Sequence, residues 1–145
     1  RMVGIVITGH GHFPGGILSA VELVAGKQDR VIGVDFEAGQ SSGTLKEALT
    51  AAVGGMEGEE VLILSDLAGG TPFNMAAEVK QELKGKHIRL LAGTNMAMVV
   101  EAVFSRMGVG LDTLAEMAAE AGAKGVVDFD RLGDDEEKPQ FEDGI

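Results

Sequence analysis

The chain has 145 residues, a hydrophobic fraction of 45% and a formal net charge of −11. That length suits one domain with a single sizeable core. The absence of cysteine excludes a disulfide framework, a thiolate metal site and a cysteine nucleophile. The acidic balance argues against a nucleic-acid partner and suits docking on basic protein patches. No apolar run approaches the roughly 20 residues of a membrane helix, and no signal-peptide pattern precedes the first strand, so no membrane insertion and a cytoplasmic location are expected. Arg1 before Met2 reads as an appended residue, with the natural start expected at Met2.

In chain order, Val3–Thr8 reads as a first strand, apolar on both faces as inside a parallel sheet. Apolar residues at helical spacing from Gly15 to Ala25 predict a helix that Gly26 stops. Arg30–Phe36 is a second strand. Ser41 or Ser42 caps a second helix through Leu45, Leu49, Ala52 and Val53. Glu60–Ser65 is a third strand with Asp66 at its end. Thr71 as N-cap and Pro72 at the first helical position start a third helix, running to about Leu83. His87–Ala92 is a fourth strand. Asn95 caps a helix from Met96 to about Met107, and Leu111–Ala121 forms a fifth. Gly125–Phe129 reads as a short final strand. Residues 2–130 form the domain, and 131–145 an acidic tail, with Asp134 to Glu137 a solubilising run.

Strands alternating with helices predict a doubly wound α/β fold, a mainly parallel four-stranded sheet of order 2-1-3-4 with helices on both faces. Ligands then bind at the carboxyl edge of the sheet, which collects His10, His12, Asp35, Asp66 and Gly93-Thr94-Asn95. Beside Asp66, Gly69 and Gly70 allow a tight turn whose N–H groups can point outward. The helices after Pro14 and at Pro72 would add two positive ends. A histidine, a carboxylate and two helix N-termini suit an oxyanion. A carboxylate on one imidazole nitrogen fixes the tautomer and leaves the other nucleophilic, the equipment of a phosphohistidine.

The same residues admit a rival. Gly9-x-Gly11-x-x-Pro14 is close to a dinucleotide fingerprint, with Asp35 where a ribose-binding acid would sit. Pro14 replaces the third glycine, however, and the imidazoles would crowd a pyrophosphate. A P-loop is excluded because no Gly-Lys-Ser/Thr follows the first strand.

The His10-Gly11 pair, the segment Ser65–Asn74 (SDLAGGTPFN) and the segment Leu91–Met98 (LAGTNMAM) resemble the enzyme IIA component of the mannose-type sugar phosphotransferase system. The resemblance covers Val3 to Phe129. It implies that His10 is transiently phosphorylated, accepting the group from the histidine-containing phosphocarrier protein and passing it to the enzyme IIB component. It implies that Asp66 is the active-site aspartate. It also implies a dimer in which the C-terminal strand is exchanged, a role falling to Gly125–Phe129. An open sheet edge is a physical motive for that exchange. His12, Phe13 and Pro14 are not a fixed part of the family pattern. The phosphoryl-donor subunit of a dihydroxyacetone kinase shares this domain type and is the alternative; a dinucleotide-dependent oxidoreductase and a purely regulatory subunit are further ones.

The expectation is therefore a phosphotransferase component with His10 as nucleophile and Asp66 orienting its ring. Gly11, Gly69, Gly70 and Thr71 support the phosphoryl group, with Thr71 a cap first. Phe13, Phe36, Met96 and Met98 supply apolar surface for docking, although the two methionines sit at core-like helical spacing. His12 reads as an auxiliary or surface residue, His87 as solvated, and Asp35 and Glu37 as acids at the edge of the site. A metal site of His10, His12 and Asp66 has only weak spacing in its favour, and no metal or cofactor is expected. The sugar is not legible here.

Overall fold

The computed structural model describes residues 2–133. Arg1 and the acidic run Asp134 to Glu137 lie outside the described residues. The elements follow the order β1 (Gly4–His10), α1 (Phe13–Ala25), β2 (Val31–Phe36), α2 (Ser42–Gly54), β3 (Glu60–Ser65), α3 (Thr71–Glu82), β4 (His87–Leu91), α4 (Met96–Ser105) and α5 (Leu111–Lys124). The four strands form one parallel sheet in the order β2-β1-β3-β4, as the alternating pattern predicts.

Alternation along the strands sorts the core into two layers. Ile5, Ile7, Leu62 and Leu64 face α1, α4 and α5, where they meet Val21, Val99, Ala102, Leu114 and Ala118. Val6, Val61 and Ile63 face the other way, onto Leu45, Leu49 and Val53 of α2 and Ala76 and Val79 of α3. Each fully buried aliphatic side chain contributes about 1.5–3 kcal/mol. The strands read as unbroken apolar runs because both faces are covered.

Caps fix the helix starts. The Ser41 hydroxyl accepts from the Thr44 amide at 3.1 Å. The Asn95 side chain accepts from the Met98 amide at 3.1 Å, and its own NH₂ donates to the Gly122 carbonyl at 2.9 Å, tying α4 to α5. α3 differs from expectation. Gly70, not Thr71, is the N-cap; Thr71 is the first helical residue and caps nothing. β1 also runs two residues beyond Thr8, because β2 continues to pair with it through Gly9–Asp35 and His10–Phe36. His10 thereby becomes the last paired residue of the central strand.

The predicted final strand is not one. Residues 126–128 carry no regular structure, and Phe129–Arg131 form a single 3₁₀ turn. Val126, Val127 and Phe129 are 80%, 58% and 52% exposed. Strand propensity is realised only when a neighbouring strand supplies hydrogen bonds and a packing surface. Among the described residues this segment has no such neighbour.

A buried arginine closes the amino end of the sheet. Arg106, 2% exposed at the end of α4, donates to the carbonyls of Val3 (3.3 Å), Arg30 (3.3 Å) and Asp29 (2.6 Å) and to the Gln28 side chain (3.4 Å). It joins the starts of β1 and β2 to α4. Arg106→Met should lower stability by about 2–4 kcal/mol, since several buried carbonyls lose their donor. Urea unfolding measures this, and an unchanged midpoint would refute the assignment of Arg106 as a clamp.

Candidate functional site

Asp66 follows β3 directly and lies beside the end of β1. Its Oδ2 accepts two hydrogen bonds from the same residue, from the His10 amide at 2.9 Å and from His10 Nδ1 at 2.8 Å. Its Oδ1 accepts from the Leu67 amide at 2.7 Å. The Asp66 backbone is held as well, its amide donating to the Thr8 carbonyl and its carbonyl accepting from Gly93. Gly9 must be glycine, because a Cβ there would stand 2.8 Å from Asp66 Cγ.

Burial of the Asp66 side chain, 12% exposed, would raise its pKa. The bonds from the His10 amide, the His10 ring and the Leu67 amide outweigh that and hold the carboxyl below its ordinary value. An ionised carboxylate only accepts, so Nδ1 carries the proton and Nε2 presents its lone pair. The His10 side chain remains 47% exposed. One edge meets the Phe36 ring, with centroids 6.2 Å apart and planes at 64°.

The turn before α3 closes over the other side of the imidazole. Gly69 has φ +78°, and the Asn74 side chain donates to its carbonyl at 3.2 Å. A Cβ on Gly70 would come within 2.8 Å of His10 Cε1 and 3.4 Å of Nε2. The N-terminus of α3 therefore opens beside Nε2, with no side chain capping its first turn. Its partial positive charge suits an anion there. Thr71 stands at this opening.

The second expected helix terminus, that of α1, is already occupied. Asp35 Oδ1 accepts from the Gly15 amide at 3.0 Å. Asp35 Oδ2 takes His12 Nδ1 at 3.0 Å, while His12 Nε2 lies 3.6 Å from Glu37 Oε1. The hydrogen bond His12 donates to Asp35 and the charges of Glu37 and Asp35 raise the His12 pKa above its ordinary value. Asp35 is thus engaged with His12 and α1, not presented to a ribose. The two histidines turn to different carboxylates. Among the described residues no three potential metal-binding side chains converge.

The other expected residues divide. Gly11, at φ +56°, makes the turn between the histidines and donates its amide to the Phe36 carbonyl at 2.8 Å. Phe36 borders His10. Phe13 and Met96 are partly buried against the α1/α4/α5 core. Met98, 4% exposed, is a core residue and offers no docking surface, as its helical spacing allowed. His87 is exposed at the opposite edge of the sheet. Sequence reasoning passed over Leu67, 60% exposed immediately after Asp66. The signal was an apolar residue in a turn that has no core to enter.

Residues 4–119 match the family model EIIA-man, described as the PTS system fructose IIA component. Among characterised proteins, the chain is 32% identical over 114 residues to the fructose-specific EIIA component of Bacillus subtilis, covering 78% of this chain and 77% of that protein. It is 33% identical over 126 residues to the mannose-specific EIIAB component of Escherichia coli K12, covering 86% of this chain but only 38% of that longer protein. Among solved structures, phosphotransferase system component EIIA from Streptococcus agalactiae superposes with a TM-score of 0.85 at 42% identity, over 89% of this chain and 98% of that one. The mannose/sorbose-specific IIA subunit from Enterococcus faecalis gives 0.79 at 26% identity, over 88% and 95%.

The geometry makes a spectroscopic prediction. Ring ¹⁵N NMR of the neutral protein should show Nε2 of His10 as the unprotonated nitrogen, and Asp66→Asn should produce a mixture of tautomers. A mixture already present in the wild type would overturn the assigned hydrogen bond. Because the folded Asp66 pKa is depressed, its contribution to stability is present above the unfolded value of 3.8 and lost as pH falls through the folded one. Asp66→Asn should flatten the stability profile over roughly pH 5 to 2. Denaturant midpoints across that range check it.

Proposed function

Since the chain belongs to the EIIA family of the mannose-type sugar phosphotransferase system, whose model spans residues 4–119, we propose that it carries a phosphoryl group on Nε2 of His10. The family sets the coarse role, a phosphotransferase component in the phosphoryl relay that drives sugar uptake. The donor proposed is the histidine-containing phosphocarrier protein and the acceptor an enzyme IIB component, with both encounters in the cytoplasm. The observation that carries this reading is the arrangement around one ring: Nδ1 is held by Asp66 at 2.8 Å, while Nε2 faces the uncapped turn into α3.

The steps balance on that ring. The Nε2 lone pair attacks the phosphorus of the donor's phosphohistidine in line. The donor's N–P bond breaks, and its electron pair returns to the donor imidazole. Positive charge develops on the His10 ring, and Asp66, still ionised, stabilises it through Nδ1–H. The phosphoryl oxygens face the first-turn amides of α3 and Thr71. Transfer onward reverses the sequence: the acceptor's nucleophile attacks, the Nε2–P bond breaks, and the pair returns to Nε2. Half exposure of the ring serves this function, since two proteins must reach it in turn. Leu67 and Phe36 are the apolar surface they would meet.

The exposed segment 126–129 supports a second copy as partner. Among the described residues β4 pairs only with β3, which leaves its outer edge open there. A cleft of about 290 Å³ between β4, α4 and α5 takes in Leu91, Ala119 and Val126. Strand exchange would cover both the edge and the exposed valines.

His10→Ala should abolish acid-labile labelling by the phosphorylated phosphocarrier protein, whereas His12→Ala should still be labelled; labelling of His10→Ala would end the assignment. Asp66→Asn should slow transfer by about 10- to 100-fold, as loss of a partner that orients an imidazole does elsewhere. Sedimentation should give a dimer at micromolar concentration, and Val126→Asp with Val127→Asp should give a monomer. A monomeric wild type would remove the exchange.

A further inference from the structure

His12 is unexplained by the fold and by the carrier chemistry. Its side chain is 77% exposed and makes no capping bond to α1. A cation at a helix N-terminus is on the unfavourable end of the dipole. As a nucleophile it is poorly placed, because Asp35 holds Nδ1 at 3.0 Å and Glu37 lies 3.6 Å from Nε2. The two acids that bracket it are the neighbours of Phe36, whose ring edges onto His10 at 6.2 Å and whose carbonyl takes the Gly11 amide. Phe36 pairs with His10 across β1 and β2 and bridges Gly11, so Asp35 and Glu37 adjoin the residue paired with His10 at the same end of the sheet, in a protein of formal charge −11.

We propose that His12 is a positioning residue for phosphoryl transfer: an imidazolium bracketed by Asp35 and Glu37 that supplies the counter-charge a phosphoryl dianion needs to reach His10 past those carboxylates. This rests on His10 being the phosphoryl acceptor. The charged groups against His12 are Asp35 at the end of β2 and Glu37 just beyond it; His10, two residues back along the chain, and its partner Asp66 lie at the ends of β1 and β3. The first turn of α1 contributes no charged side chain. With His12 protonated, the cation offsets part of the two acids' charge. With it neutral, both acids face an incoming dianion at full strength. Asp66 is ionised as well, but its charge stays the same whether or not His12 is protonated, so the change in repulsion comes from His12 and its two acids. Both neighbouring acids raise the His12 pKa above its ordinary 6.5. The counter-charge is therefore present at lower pH and lost as pH rises through that raised value.

The test measures phosphoryl transfer from the radiolabelled phosphocarrier protein to wild type, His12→Gln and His12→Lys over about pH 6 to 9. His12→Gln should lower kcat/KM by about three- to tenfold at the acid end, mainly through KM, the scale expected of one water-facing charge acting on a dianion. It should also remove the fall in rate that the wild type shows toward alkaline pH. His12→Lys should keep the higher rate and extend it to alkaline pH. In the wild type, the midpoint of the fall should coincide with the His12 ring titration followed by proton NMR. A His12→Gln profile superimposable on the wild type, or a His12→Lys protein as slow as His12→Gln, would overturn the proposal. His10→Ala separates the two claims. If it still becomes labelled, the carrier reading fails; if it does not while His12→Gln matches wild type, only the role of His12 fails.

Discussion

One carboxylate oxygen, Asp66 Oδ2, accepts both the amide and the ring nitrogen of His10, and the rest of the site depends on that double contact. A side chain held at two points on one residue fixes both where the strand ends and which way its imidazole faces. The contact requires β3 beside β1, which the order β2-β1-β3-β4 provides. It requires Gly9, since any Cβ there would meet Asp66. It also requires Gly70, which lets the turn close over the opposite face of the ring. Desolvating a carboxylate costs several kcal/mol unless donors replace water. Three N–H groups do so here, and Asp66 stays ionised.

The chain presents the same residue type twice within three positions and gives the two copies opposite electrostatics. His10 has one carboxylate partner on Nδ1, and Nε2 faces a positive helix end. That combination puts the neutral ring's lone pair on Nε2 and favours an anion beside it. His12 lies between two acids, one at each ring nitrogen, which favours the charged ring. A protonated imidazole has no lone pair to attack with. The surroundings, not the histidine itself, separate a ring with a free nitrogen from a ring that favours charge.

Most of the fold was legible because its signals are local. Each strand is a short apolar run, and Asn95 and Ser41 announce their helices with side chains that do cap them. Asp66 was legible as a partner of His10 because a 2-1-3-4 order makes β1 and β3 neighbours. Other features depend on contacts that no local signal carries. Thr71 has the chemistry of an N-cap, yet Gly70 takes the position because the His10 ring leaves no room for a side chain there. Asp35 looked like an edge acid, and its bonds to Gly15 and His12 emerge only once β2 is aligned on β1. Residues 125–129 have the composition of a strand, but composition does not supply a partner. Met98 shows the reverse case, where helical spacing indicated the core more reliably than proximity to the site.

Why the proposed phosphoryl chemistry belongs at α3 and not at α1 follows from how the sheet end is built. Both helices start beside the histidine loop, and both begin with a proline in the first turn. Asp35 fills the N-terminus of α1 with a fixed carboxylate, which leaves no place for a second anion. α3 starts on glycines, and its N-cap Gly70 makes no side-chain bond to the first turn. Beneath the site, Thr8 and Thr94 are buried and direct their hydroxyls to the carbonyls of Val34 and Ser65, so the strand ends form a polar but closed floor. A hydrogen-bonded floor and an open glycine rim meet the opposing demands of the proposed carrier. The nucleophile must be held well enough to attack in line, and its cargo must stay exposed enough for a second protein to remove.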